Sequence, residues 1–174
     1  TNLTNVNCTR LGINMTDDSI PEISEFGSVD PAPASKNIDV DNLRHILCNE
    51  NEKMFQRMRA LFSLRNIGGR DSVEALASAF NSKSALLKHE IAYVLGQMQD
   101  KHAVEFLVDR LNDLDEDLMV RHEAAEALGA IGDRKAMQVL EKFVDDPEPV
   151  ISESCEVAID LLEWVESKKL EYND

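Results

Sequence analysis

Two His-Glu pairs stand 33 residues apart in this chain, His89-Glu90 and His122-Glu123. Two imidazoles with one or two carboxylates form the donor set of non-haem iron oxygenases, and zinc accepts the same set. The residue types alone therefore leave the metal open. His89-Glu90-Ile91-Ala92-Tyr93 and His122-Glu123-Ala124-Ala125-Glu126 both lack the second histidine of HExxH, which excludes a zincin protease. No P-loop, dinucleotide-binding GxGxxG or GxSxG elbow occurs. His45 and His102 have no partners at the repeat spacing and read as surface residues. The plain alternative for the two pairs is a solvated face copied from one repeat to the next.

The elements that would position these pairs follow from internal self-similarity. Leu64–Gly69 (LRNIGG), Leu95–Asp100 (LGQMQD) and Leu128–Asp133 (LGAIGD) align without gaps, and Leu161 opens a fourth copy, at spacings of 31, 33 and 33 residues. Each unit reads as a short helix A, a turn and a longer helix B. The B helices are predicted near 52–66, 84–98, 117–131 and 149–166, and the A helices near 40–49, 72–81, 102–112 and 134–144. Gly68, Gly69 and Gly132 fall where a helix end needs positive φ. Leu87, Ile91, Val94, Leu95 and Met98 make one apolar stripe, and Val120, Ala124, Ala127, Leu128 and Ile131 make another. At about 100° per residue, His89 and His122 lie nearly opposite those stripes. Equivalent positions on successive B helices lie side by side, so the two imidazoles can meet at one ion. The register places Met58-Arg59 in the first unit and Cys155-Glu156 in the fourth, confining the His-Glu pairs to the two central units. Phe143 and Trp164 read as core or cap packing. The ankyrin and tetratricopeptide signatures are absent, and the predicted fold is all-α, an α-solenoid of four compact HEAT-like hairpins.

Composition sets the outer bounds. Residues 1–37, rich in Asn, Thr, Ser, Asp and Pro, read as an irregular N-terminal extension or linker, and 38–170 as the repeat domain. The formal charge is −15, from 33 acidic and 18 basic residues. Such a surface repels nucleic acid and anionic membranes and attracts a basic protein or an amine. Three scattered cysteines (Cys8, Cys48, Cys155) make neither a disulfide framework nor a metal knuckle, which favours a reducing compartment, the cytoplasm. No run of 18 apolar residues and no signal peptide are found, as in a soluble protein. The sequons at Asn2, Asn7 and Asn14 read as chance, and a start at Thr1 is expected of a fragment.

Several segments carry a family resemblance. Leu87-Lys88-His89-Glu90-Ile91-Ala92-Tyr93-Val94-Leu95-Gly96-Gln97-Met98 resembles a metal-binding segment of the deoxyhypusine hydroxylases, and Met119–Ile131 resembles another. Ser28-Val29-Asp30-Pro31-Ala32-Pro33 is similar to the connector between the family's halves. Ser63–Gly69 and Glu153–Ala158 match further family segments. The resemblance implies a HEAT-repeat monooxygenase that uses O₂ and a di-iron centre to hydroxylate deoxyhypusine on a translation factor. It implies two facing halves with four His-Glu pairs around two Fe(2+) ions, of which this chain holds two pairs, as a C-terminal half would. On that basis His89, His122 and Glu123 are expected iron ligands. Glu90 is expected to bind iron or the cationic substrate. A non-catalytic HEAT scaffold or a bilin-lyase-like binding protein is the alternative.

Overall fold

The apolar stripes of the B helices bury themselves against the A helices, and that burial builds the stack. The computed structural model describes residues 21–171. The three sequons and Cys8 lie outside the described residues. Among the described residues are eight α-helices: α1 (Val40–Cys48), α2 (Met54–Ile67), α3 (Gly69–Ser78), α4 (Ala85–Met98), α5 (Val104–Asn112), α6 (Leu118–Ile131), α7 (Met137–Phe143) and α8 (Pro149–Glu171). They pair as α1/α2, α3/α4, α5/α6 and α7/α8, with α4, α6 and α8 packed side by side. The all-α fold of HEAT-like hairpins expected from the sequence is therefore present. None of these helices is long and apolar enough to cross a membrane.

Local chemistry starts and stops the helices where the chain must turn. Asp39 accepts hydrogen bonds from the backbone N–H of Asp41 and Asn42, Ser84 from that of Leu87, and Asp117 from that of Met119. Each such cap is worth about 1 kcal/mol. Gly68 ends α2 at φ 70°, a left-handed conformation that a Cβ disfavours, and α3 begins at the next residue. That tight turn is why α3 starts three residues earlier than the predicted 72.

Leu87, Ile91, Val94 and Leu95 on α4, and Val120, Ala124 and Leu128 on α6, are fully buried. Each large apolar side chain contributes roughly 1.5–3 kcal/mol by leaving water. Phe143 joins this core, but Trp164 does not: it is exposed on the outer side of α8, because no described helix packs over that face. Residues 21–38 form no helix, yet they are held to the first hairpin. The fully buried Arg65 guanidinium donates to both carboxylate oxygens of Asp30, at 2.9 and 2.6 Å, and to Gln97 Oε1 at 3.0 Å. The Ser35 backbone N–H donates to Ser63 Oγ, and Ala32 is buried against the core.

Small residues set the spacing of the B helices. A Cβ on Gly96 would stand 3.0 Å from Ala127 Cα, and one on Gly129 would stand 2.9 Å from Ala158 Cα. Any larger side chain there must push two backbones apart. Gly129→Leu is accordingly expected to lose about 1–3 kcal/mol to overpacking, against about 1 kcal/mol gained in helix propensity. A urea unfolding curve showing equal or greater stability for this variant would contradict the close-approach account.

Candidate metal centre

His89 and His122 occupy the same position on α4 and α6, and their ring centroids lie 5.7 Å apart. Gly96 lies seven residues beyond His89, two turns on the same helix face, so the close α4–α6 contact it permits at Ala127 brings the imidazoles together. His89 Nε2 is 3.1 Å from Glu123 Oε2. One donor atom each from His89, His122 and Glu123 lies within 4.8 Å of the others. Bonds of about 2.1 Å place ligand atoms up to about 4 Å apart, so the cluster closes on an ion with a shift of about an ångström.

Glu90 stands on the other side of His89, its Oε1 3.7 Å from Nδ1, outside the three-donor group. His89 Nδ1 itself is buried without a hydrogen-bond partner. The Glu123 carboxylate, followed by that of Glu90, raises the His89 pKa to about 9 against the opposing pull of burial. A proton thus occupies the place between carboxylates that a cation can take. Two imidazoles, one close carboxylate and an orphaned ring nitrogen fit a divalent metal of the iron or zinc type.

The equivalent positions in the outer units differ. Met58 and Cys155 are both buried, and desolvation pushes the Cys155 thiol up to about 11. His45 and His102 are exposed on their A-helix sides, as expected, and His102 Nδ1 lies 2.9 Å from Asp100 Oδ1.

Three supporting features were not recognised from the sequence. Glu126 Oε1 lies 3.5 Å from His122 Nδ1. The Gly96 and Gly129 contacts were hidden within the LGQ and LGA strings. A buried or nearly buried cation also precedes this position in the first three units, at Arg57, Lys88 and Arg121. Arg57 Nε donates to Leu47 O at 2.8 Å and Arg121 Nε to Leu111 O at 3.1 Å, each binding its own A helix. Each cation also reaches a loop leading into the next B helix: Arg57 to Ser82, Lys88 to Glu116 and Arg121 to Asp146. The signal was a basic residue at a fixed repeat position.

The proton on His89 gives a pH dependence. Its folded pKa lies above the unfolded value of about 6.5, so its stabilisation is complete below about pH 6.5 and fades as pH rises through about 9. A metal must displace that proton, so affinity should rise with pH up to about 9. Nuclear magnetic resonance titration of the metal-free chain should find the raised value, and Glu123→Gln should bring it down. An unshifted His89 titration in the parent chain would refute the contact.

Comparison with known proteins agrees with this fold. The sequence matches the family of HEAT repeats over residues 40–118 and 81–160. It is 53% identical over 148 residues to deoxyhypusine hydroxylase-B of Oryza sativa subsp. japonica, covering 84% of this chain and 49% of that protein. It is 53% identical over 154 residues to deoxyhypusine hydroxylase of Gallus gallus, covering 88% of this chain and 52% of that protein. The solved structure of human deoxyhypusine hydroxylase in complex with glycerol superposes with a TM-score of 0.80 at 47% identity, covering 83% of this chain and 50% of that one. The chain thus belongs to the HEAT-repeat family and is a homologue of deoxyhypusine hydroxylase, spanning about half the length of the curated relatives it matches.

Proposed function

We propose that this chain is the C-terminal metal-binding half of an iron-dependent cytoplasmic monooxygenase that hydroxylates the deoxyhypusine side chain of a translation factor. The di-iron centre of the whole enzyme is shared with an N-terminal half bearing its own His-Glu pairs. The observation that carries this reading is the meeting of His89, His122 and Glu123 within 4.8 Å, in a chain about half identical to deoxyhypusine hydroxylases. Bound iron supplies the O₂-activating redox chemistry. His89 and His122 offer imidazole nitrogens once His89 has released its proton, and Glu123 supplies the compensating negative charge. Three donors from one side leave coordination positions open for oxidant, water and ligands from the facing half.

Glu90 is assigned to the substrate. Deoxyhypusine carries cationic amines, and an ammonium leaving bulk water needs a carboxylate partner because an unpaired buried charge costs several kcal/mol. Glu90 lies beside the donor cluster but outside it. The net charge of −15 attracts the basic protein segment that presents such an amine.

The test separates ligands from substrate contacts. The chain alone should hold at most about one iron, weakly, because a half-site leaves positions unfilled. His89→Ala or His122→Ala should abolish that binding with little change in helical content. In enzyme reassembled with an N-terminal half, Glu90→Gln should keep most of its iron while substrate pull-down falls sharply, and Glu123→Gln should lose iron first. Equal iron loss in both glutamine variants would make both carboxylates ligands. Unaltered iron in both histidine variants would refute the assignment of the site.

A further inference from the structure

The B helices share a register, and that register exposes an anomaly at the last one. Ala60, Ile91 and Ala124 occupy one repeat position and are all buried, whereas Val157 at the same position on α8 is 61% exposed. Leu64, Leu95 and Leu128 are buried, whereas Leu161 is 38% exposed. At the third position Ile131 is buried, Met98 half-buried and Ile67 39% exposed, against 58% for Trp164. In units one to three another hairpin follows, while among the described residues none follows α8. At the first two of these positions α8 exposes apolar residues where α2, α4 and α6 bury theirs.

Val150 extends the stripe one step further, so residues 150, 157, 161 and 164 share one face of α8 at helical spacing. Leu161 and Val165 also wall a groove of about 460 Å³ with Ile131 and Gly132. One edge of the stripe is a row of exposed carboxylates, Glu153, Glu156, Asp160 and Glu163. The Lys168 ammonium lies over the Trp164 ring, 5.9 Å from its centroid.

We propose that this face of α8 docks an amphipathic helix of a partner protein, with an apolar stripe and a row of Lys or Arg along one edge. That helix lies beside α8 as α6 lies beside α4 and α8 beside α6. The register supplies the shape: a helix laid on Val157, Leu161 and Trp164 repeats the packing found over the equivalent residues inside the stack. The carboxylate row supplies the charge, since its spacing matches basic residues along one edge of a facing helix. A second copy of this chain is disfavoured as occupant, because its own carboxylate row and net negative charge would meet their like. The inference is independent of the metal centre.

Trp164 is the only tryptophan of the chain, so its fluorescence reports on the surface directly. The probe is a synthetic 14-residue helical peptide with leucines along one face and lysines along one edge, compared with a scrambled peptide of the same composition. The patterned peptide should shift Trp164 emission to the blue, and the scrambled peptide should not. The double variant Val157→Ser, Leu161→Ser should bind at least about tenfold more weakly, since two apolar contacts are lost. Replacing Glu153, Glu156 and Asp160 with lysine should transfer preference to a peptide carrying glutamates in place of lysines. Equal shifts with both parent-chain peptides, unchanged affinity in the double variant, or no change of preference on charge reversal would overturn the proposal. So would sedimentation showing that the free chain self-associates through this face, since the occupant would then be a second copy.

Discussion

The metal-capable cluster depends on how closely two helices can approach. Side chains usually hold packed helices 8–10 Å apart, and the distance is set by what stands at the contact. Here the contact is glycine against alanine, Gly96 on Ala127 and Gly129 on Ala158. Each glycine lies two turns beyond its histidine, about 10 Å along the helix axis. A separation set there is transmitted through rigid helices to the imidazoles. In the first hairpin Arg65 holds the position that Gly96 and Gly129 hold later. Its side chain instead binds Asp30 and Gln97, and α2 meets α4 less extensively than α4 meets α6. The close approach is thus a property of the central and last hairpins, and the two histidines stand on α4 and α6, one of the two helix pairs that have it.

Distance alone does not aim a side chain. A helix that rolls about its axis swings a histidine off the cluster even at constant spacing. The cation ladder opposes such a roll. Lys88 and Arg121, each next to its histidine, are tied to the loops before α6 and α8. Arg121 is further fixed by the Leu111 carbonyl. Glu116 accepts from Lys88 and from Arg110, so its charge is compensated twice over. Breaking one side of such a buried pair leaves a charge without a partner, at a cost of about 3–5 kcal/mol. Position comes from the small residues and orientation from the buried ions.

The repeat was legible in the sequence because it is written twice, once in leucine spacing and once in the LGxxxD-like helix ends. The His-Glu pairs were legible for the same reason: equivalent residues in a solenoid lie side by side. Trp164 was not, because an apolar residue at core spacing is buried only if a following hairpin covers it, and nothing local to α8 records whether one does. Asp30 was read only as part of a resemblance, since its partner Arg65 lies 35 residues away in a different element. The different surroundings of Glu90 and Glu123 were also beyond periodicity. Both follow a histidine, yet Glu123 on α6 points back to His89 on α4, while Glu90 has no equivalent neighbour on α2, where Arg59 and Met58 hold the register.

That asymmetry defines the electrostatics of the site. His89 lies between Glu123 and Glu90, and its proton is held to about pH 9 because two carboxylates stabilise the positive charge. The metal-free cluster is therefore already organised around one cation, supplied by the imidazolium itself. A divalent ion held here would take the place of this proton, with His89 offering a ring nitrogen and Glu123 its carboxylate. What changes is charge: one positive unit leaves and two arrive. Glu90, outside the cluster but beside His89, would then stand where a second positive group could face it, and the same local field that favours a metal favours an amine beside it.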